Sequence, residues 1–204
     1  MTLGLLFFVL AFAAGSVPTA YWITRRKAGV DIRAVGSGNV GATNAARVLG
    51  RKWGVTIFAI DFAKGLVPTL LYLAAANRGG AEFDSALWVG SGAVIGHVYS
   101  PFLNFRGGKG IAAGAGVIAA VFPQLLLAAL GVWGVVFFLT KRTVSIASMA
   151  ALAGLAVLSW AWQMRPATQV FFLLLAAFGF WTHRANIRRI LRKEEGPLAE
   201  PKSR

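Results

Sequence analysis

Residues 111–140 read IAAGAGVIAAVFPQLLLAALGVWGVVFFLT and contain no charged side chain. Comparable apolar stretches recur along the whole chain of 204 residues, of which 57% are apolar, and the mean hydropathy is +0.65. A soluble protein of this size could not hide so much apolar surface from water. The sequence therefore predicts an all-α fold, a polytopic integral membrane helix bundle.

The apolar stretches predict about seven transmembrane helices, although a span needs about 20 residues and two of the stretches are shorter. The predicted spans lie near residues 3–23, 53–76, 85–98, 111–122, 124–140, 144–162 and 168–182. The short third and fourth stretches would tilt or thin the bilayer locally. A re-entrant pair, which would reduce the count to five, is the alternative, and we favour seven.

The distribution of charge predicts the orientation. The chain has 21 Lys and Arg against 7 Asp and Glu, a net charge of +14. With the N-terminus outside, eighteen cations fall in inside loops or the tail, whereas Arg78 and Arg165 fall outside and Lys64 lies within a span. The positive-inside rule then places the N-terminus outside and the C-terminus in the cytoplasm.

This pattern also predicts the domain organisation and the partners. We expect a transmembrane bundle over residues 1–192 and a charged cytoplasmic tail over residues 193–204. Because the cations lie between apolar segments, we expect them to face membrane lipid headgroups and an anionic substrate, and we expect no nucleic acid partner.

The first cytoplasmic loop is rich in glycine, since residues 35–47 read VGSGNVGATNAAR. The glycine spacing matches a dinucleotide-binding pattern, but that pattern must follow a β-strand, and here it follows a membrane span. Glycines instead let backbone N–H groups converge on an anion, and Arg47 adds a guanidinium suited to phosphate. The alternative is a flexible, solvated loop. Neutral donors would come from Ser37, Asn39, Thr43 and Asn44.

A second loop, residues 96–110, reads GHVYSPFLNFRGGKG. It differs from a nucleotide-binding P-loop because a required glycine is missing and Gly110 stands where Ser or Thr would bind magnesium. Gly107 and Gly108 would permit close backbone approach or a positive φ. Arg106 and Lys109 supply charge, and the following helix offers N-terminal N–H groups. Positive-inside anchoring would explain the two cations but not the three glycines, so the loop predicts a dianion site.

The last predicted span ends in THRANIRR, residues 182–189. His183 and Asn186 are three residues apart and share one helical face, although a lone histidine is more often structural than catalytic. Ser145, just past Lys141 and Arg142, would add a hydroxyl to a site or cap a helix.

Other features have simpler interpretations. Two histidines, seven scattered carboxylates and no cysteine predict no metal site. Asp61 and Lys64 lie one turn apart inside a span, so we expect them to pair with each other. The small residues of Gly92-x-x-x-Gly96 and Gly110-x-x-x-Gly114 predict close helix packing.

Together, the loops resemble the bacterial membrane acyltransferases that use acyl phosphate to acylate glycerol 3-phosphate. The matching stretches are Gly36 to Arg47, Gly96 to Gly110, and His183 to Leu191 with Glu195. The Asp61 to Pro68 and Lys141 to Ser148 stretches are also similar. One departure is Lys193, which stands where the family usually has glycine, and this puts the local turn and the role of Glu195 in doubt.

The resemblance implies transfer of a fatty acyl group from acyl phosphate to the 1-hydroxyl of glycerol 3-phosphate. The products would be lysophosphatidic acid and phosphate, in the first acylation of phospholipid synthesis. It also implies a seven-helix bundle in the bacterial cytoplasmic (inner) membrane, with the active site facing the cytoplasm. No cofactor is expected, and a soluble enzyme that produces acyl phosphate is a possible partner.

The site residues expected from the loops and the resemblance fall into two groups. The expected catalytic residues are Ser37, Arg47, Lys109 and His183. The expected substrate-binding residues are Gly36, Gly38, Asn39, Thr43, Asn44, Arg106, Gly107, Gly108, Gly110, Ser145 and Asn186.

Two other function classes are less consistent with the sequence. A transporter of an organic phosphate should place polar groups near the bilayer midplane and often contains internal repeats. This chain shows no repeat, and its polar groups cluster at the cytoplasmic edge. A structural scaffold for lipid enzymes would leave the glycine-rich loops unexplained.

Overall fold

The computed structural model describes residues 3–76 and 80–198. Within these ranges the regular structure is entirely helical, which confirms the all-α fold class. The chain divides into two compact units, which are described separately. Unit 1 comprises the described residues up to Val121, and unit 2 comprises residues 122–198.

Unit 1 contains six α-helices and two short 3₁₀ turns within its described residues. The helices are α1 (Leu3–Ser16), α2 (Thr19–Ala28), α3 (Ala42–Leu49), α4 (Arg51–Ala75), α5 (Gly80–Val98) and α6 (Ile111–Val121). The 3₁₀ turns are Ile32–Ala34 and Pro101–Leu103. A small apolar core that includes Ile32, Ala45, Ile57 and Leu103 fixes α3 and both turns near the start of α4.

Unit 2 contains four helices, α7 (Pro123–Leu139), α8 (Val144–Ala161), α9 (Pro166–Thr182) and α10 (Arg184–Leu191). Helix α7 packs on α8, and α8 packs on α9. Proline occupies the first position of both α7 and α9, where its missing N–H costs nothing. The chain bends by 59° between α9 and α10, so the residues after Thr182 form a separate helix.

The first predicted span is a broken helix. Helix α1 ends at Ser16 and α2 begins at Thr19. Pro18 lies at the break, where it has no N–H to continue the helical hydrogen bonds. Together the two helices form one apolar stretch of 26 residues, Leu3–Ala28.

Close helix packing in unit 1 depends on glycine. A Cβ on Gly92 would lie 2.5 Å from the carbonyl oxygen of Phe8, and one on Gly96 would overlap the carbonyl of Phe12. This confirms the packing role predicted for that glycine pair. On α6 the tight position is Gly116 rather than Gly114, because a Cβ on Gly116 would overlap the carbonyl of Phe62.

Three stretches of the described chain are long and apolar enough to span a membrane, namely Leu3–Ala28, Arg51–Ala75 and Val144–Ala161. The bent pair α9 and α10 makes a fourth if it is counted as one span. Helices α6 and α7 are apolar but only 11 and 17 residues long. The count of seven spans and the orientation stay predictions.

Candidate active site

The first glycine-rich loop is folded around one buried amide. The Asn44 side chain is fully buried; its Oδ1 accepts a hydrogen bond from the Ser37 N–H at 2.9 Å. Its Nδ2 donates to the carbonyl oxygens of Ile32 and Val35 at 3.1 and 3.0 Å. Asn44 therefore holds the loop in shape, and its predicted contact with a substrate stays a prediction.

Glycine is needed in this loop for its backbone conformation. Gly36 and Gly38 have φ angles of 59° and 71°, in the left-handed region that other residues rarely adopt. Any side chain at Gly36 would also overlap Asn44 Oδ1. The loop leads directly into α3, where Thr43 and Arg47 are one turn apart and both half-buried. Ser37 and Asn39 are also half-buried.

The second loop is attached to the end of α5. The Gly107 N–H donates to the Val98 carbonyl at 2.9 Å, and the Gly108 N–H donates to the His97 carbonyl at 3.0 Å. A Cβ on Gly107 would overlap the His97 carbonyl. Neither Gly107 nor Gly108 has a positive φ, so close approach is the reason for glycine here.

The two loops meet within unit 1. A Cβ on Gly108 would overlap the carbonyl oxygen of Val40, which belongs to the first loop. Lys109 follows Gly108 and is half-buried, whereas Arg106 is exposed. Gly110 has a φ of 80° and precedes α6, which begins at Ile111. The two predicted cations of the second loop, Arg106 and Lys109, therefore lie on either side of Gly108, which packs against the first loop.

In unit 2, His183 lies at the bend between α9 and α10 and is 1% exposed. Its Nδ1 is 2.7 Å from the Gly179 carbonyl oxygen. A carbonyl can only accept, so Nδ1 carries the proton, and in the neutral ring Nε2 is then the acceptor nitrogen. His183 is the residue at the bend and Asn186 lies in the first turn of α10, and the Ile187 N–H donates to the His183 carbonyl at 2.9 Å.

Glu195 organises the surroundings of Asn186. Its Oε1 accepts from Ser145 Oγ and from Asn186 Nδ2, each at 2.6 Å. Its Oε2 accepts from Arg189 Nε at 2.6 Å. Burial raises the pKa of Glu195, but the hydrogen bonds from Ser145, Arg189 and Asn186 outweigh that effect, so its pKa lies below the ordinary value of 4.5.

The Asn186 amide has a fixed direction as a result. A carboxylate only accepts hydrogen bonds, so Nδ2 must face Glu195 and Oδ1 must point elsewhere. Asn186 is 5% exposed, and no group in the described part of the chain donates to its Oδ1. A buried acceptor without a donor is costly, and this makes Asn186 Oδ1 a candidate for contact with a bound hydroxyl.

The turn before Glu195 forms with a lysine at its left-handed position. Lys193 has a φ of 60°, in the left-handed region that favours glycine. The described start of the predicted tail, residues 193–198, belongs to unit 2, and the Leu198 N–H donates to the Arg142 carbonyl at 2.9 Å. The role of Glu195 was left open by the sequence, because its partners are up to 50 residues away.

The predicted pairing of Asp61 with Lys64 is confirmed. Lys64 Nζ lies 2.6 Å from Asp61 Oδ1, and both side chains are buried in α4.

On the surface near the first loop, Asp31 pairs with Arg33 at 2.7 Å. The hydrogen bonds from Arg33 lower the pKa of Asp31 to about 2.

The chain resembles known proteins over nearly its whole length. The sequence model of the family described as glycerol-3-phosphate acyltransferase matches residues 5–193. A glycerol-3-phosphate acyltransferase of Aquifex aeolicus is 40% identical over 188 residues, covering 92% of this chain and 95% of the relative. One of Geobacter sulfurreducens is 41% identical over 182 residues, covering 89% and 90%.

Two crystal structures have the same fold. Both are of PlsY, an integral membrane glycerol 3-phosphate acyltransferase, one in its glycerol 3-phosphate form and one in its lysophosphatidic acid form. The first has a TM-score of 0.87 and 36% identity, and the second 0.83 and 34%. Each comparison covers 95% of this chain and 94% of the other. The chain therefore belongs to the glycerol-3-phosphate acyltransferase family of integral membrane proteins.

Proposed function

We propose that this protein transfers a fatty acyl group from acyl phosphate to the 1-hydroxyl of glycerol 3-phosphate. The products are lysophosphatidic acid and inorganic phosphate, in the first acylation of phospholipid synthesis. The observation that carries the proposal is the meeting of two glycine-rich loops, each with a cation, at Gly108 and Val40. Both substrates carry phosphate, and the related PlsY structures in glycerol 3-phosphate and lysophosphatidic acid forms support the acceptor and the product.

The chemistry needs no nucleophile from the protein. Acyl phosphate is a mixed anhydride, so its acyl carbon is already activated. The acceptor hydroxyl oxygen forms a bond to that carbon while the bond from the carbon to the phosphate oxygen breaks. The hydroxyl proton passes to the departing phosphate, whose second pKa is about 6 in a monoester. Positioning and charge stabilisation supply the acceleration.

In unit 1, Arg47 and Lys109 hold phosphate as an anion and stabilise the charge that develops on it as the acyl bond breaks. Ser37 adds a hydroxyl from a loop whose shape Asn44 maintains. The backbone beside Gly108 and the N-terminus of α6 add N–H groups. The other substrate-binding residues proposed in this unit are Gly36, Gly38, Asn39, Thr43, Arg106, Gly107 and Gly110.

In unit 2, His183 and Asn186 bind and orient glycerol 3-phosphate. Asn186 Oδ1 is a buried acceptor, so a glycerol hydroxyl is a suitable donor for it. His183 Nε2 is the acceptor nitrogen of a ring fixed by Gly179. The Ser145 hydroxyl donates to Glu195, so Ser145 would contact a substrate as an acceptor.

The proposal includes the arrangement in the membrane. Seven spans of the bacterial inner membrane place the N-terminus on the outer side and the C-terminus in the cytoplasm. The loops of the site also face the cytoplasm. The distribution of Lys and Arg supports this orientation. Acyl phosphate would be supplied by a soluble cytoplasmic enzyme. Residues 1–192 form the bundle and residues 193–204 the cytoplasmic tail.

The proposal is tested by incubating the protein, purified in detergent, with acyl phosphate and isotopically labelled glycerol 3-phosphate. We expect one phosphate released for each lysophosphatidic acid formed, with the acyl group on the 1-hydroxyl. A transporter would form no product in detergent, where there is no gradient. Phosphate release without lysophosphatidic acid, or the absence of both products, would contradict the proposal.

A further inference from the structure

A buried polar network in unit 1 has no part in the roles assigned above. Lys64 Nζ donates to Asp61 Oδ1 at 2.6 Å, to the carbonyl oxygen of Val17 at 2.7 Å, and to Thr19 Oγ1. Asp61 and Lys64 are 2% and 8% exposed. Two charges placed this deep within a predicted span are costly, so the pair calls for a specific role.

Lys64 binds the chain at the break between α1 and α2. Val17 precedes Pro18, which has no N–H to donate, and the Val17 carbonyl accepts the Thr19 N–H at 3.0 Å as well as the Lys64 ammonium. The same break is held from another side, because Ser100 Oγ donates to the carbonyl of Ser16 at 2.5 Å. Lys64 therefore connects α4 to the break, and Ser100 connects the segment after α5 to it.

His97, in the last turn of α5, lies between this ion pair and Gly108. Its Nδ1 is 3.9 Å from Asp61 Oδ1, which places the ring beside the ion pair but is too long for a hydrogen bond. Its Nε2 faces Gly108 so closely that a Cβ on Gly108 would overlap it. The His97 carbonyl also accepts the Gly108 N–H at 3.0 Å.

The break, His97 and the loop also share one small cavity. Val17, Thr19, His97, Ser100 and Gly108 are among the residues that line it. Lys64 binds Val17 and Thr19, which line this cavity together with His97 and Gly108. Because the cavity is small, we expect a displacement of Val17 and Thr19 to displace His97 and Gly108 as well.

We propose that Asp61, Lys64 and His97 form a positioning network that fixes the backbone at Gly107 and Gly108, which are among the proposed substrate-binding residues, and thereby sets the affinity for glycerol 3-phosphate without touching it. The inference rests on the proposed function for its substrate, but the loop geometry can be measured without turnover. A buried ion pair adds little net stability compared with uncharged residues of similar size, so a role in positioning explains the pair better than stability does.

The test uses two variants and one matched control. Asp61→Asn with Lys64→Gln removes both charges together, so neither charge is left buried alone. His97→Gln keeps the ion pair and removes the ring beside Gly108. Lys52→Gln makes the same change of residue type at an exposed position of α4.

Three quantities are measured for each protein: the unfolding temperature in detergent, amide hydrogen exchange of the peptide containing residues 105–110, and the KM for glycerol 3-phosphate. In both network variants we expect the amide exchange rate of this peptide and the KM for glycerol 3-phosphate each to rise on the order of tenfold. We expect kcat to change much less, because the network supports binding groups and does not contact the reacting atoms. The control should match the unsubstituted protein.

The outcomes separate the two proposals. Unchanged exchange and unchanged KM in a folded network variant would overturn the positioning role. If the double variant does not fold, His97→Gln alone decides by the same criterion. If the unsubstituted protein forms no lysophosphatidic acid, the proposed function fails, while faster exchange of the loop in the variants still supports the network.

Discussion

Arg47 and Lys109 carry positive charge next to backbone that can also bind an anion. Loss of one such contact in the transition state should cost about 3 kcal/mol, on the order of a hundredfold in turnover. We therefore expect Arg47→Ala and Lys109→Ala each to reduce kcat by about that factor. Arg26→Ala, at an exposed position of α2, is the control. Retention of most activity by either purified variant would refute its assignment.

His183 is assigned to binding rather than to proton abstraction. Its Nδ1 donates to a backbone carbonyl, and no described residue places a carboxylate on that nitrogen in the way a catalytic dyad requires. We expect His183→Gln to raise the KM for glycerol 3-phosphate and to preserve part of kcat across pH 5.5 to about 9. A collapse of kcat by about a thousandfold at unchanged KM would show general-base catalysis instead.

Individual residues differ in how far the sequence could predict them. Glycine, Arg and Lys in short loops indicate anion binding by their chemistry alone, so the sequence predicts Arg47 and Lys109 directly. The role of Asn44 in holding its own loop depends on bonds to residues 7 to 12 positions away. The role of Glu195 depends on Ser145, 50 positions away, and only the folded chain brings them together.

Between elements of unit 2, Glu195 connects the start of α8 to α10 through Ser145, Asn186 and Arg189. We expect Glu195→Gln to lower the free energy of unfolding by about 2 kcal/mol at pH 7, since bonds to a charged group are lost. The pKa of Glu195 is lowered in the folded protein from 4.5. The ionised carboxylate therefore contributes fully to the free energy of unfolding above about pH 4.5. This contribution is lost as the pH falls through the lower pKa that Glu195 has in the folded protein.

Unfolding of the two proteins is compared at neutral and acidic pH. The difference in unfolding free energy between the unsubstituted protein and Glu195→Gln should shrink below pH 4.5. A difference that stays the same at every pH would show that the charge of Glu195 is not the cause.

Helix packing in unit 1 can be tested with two glycines on the same helix. A Cβ on Gly116 would overlap the Phe62 carbonyl of α4, whereas one on Gly114 would make an ordinary contact with Val94 at 3.8 Å. Overpacking costs about 1–3 kcal/mol, so Gly116→Ala should lower the unfolding temperature and Gly114→Ala should not. Equal effects in the two variants would exclude this packing account.

Most of the helices could be predicted from the sequence, because an apolar stretch of this length in a membrane protein has few stable structures other than a helix. The break at Val17 and Pro18 was missed, although proline signals such a break, because the apolar pattern continues across it. The bend after Thr182 was also missed, since α9 and α10 differ in polarity but the sequence between them contains no glycine or proline. Lys193 adopts a glycine-like conformation that residue preferences do not predict.

For the whole molecule, the distribution of charge predicts the orientation in the membrane. We expect a reporter fused to the C-terminus to be cytoplasmic and one fused to the N-terminus to lie on the outer side of the membrane. Access of a membrane-impermeant reagent to each reporter provides the measurement. Both reporters on the same side would exclude an odd number of spans.

We propose acyl phosphate as the donor, and one competition experiment tests this choice of donor directly. The purified protein is given glycerol 3-phosphate together with acyl phosphate and acyl-CoA whose acyl chains carry different isotopes. We predict that lysophosphatidic acid contains only the chain from acyl phosphate, because the loops of unit 1 supply cations for a small phosphate leaving group. Lysophosphatidic acid that carries the chain from acyl-CoA would contradict the account.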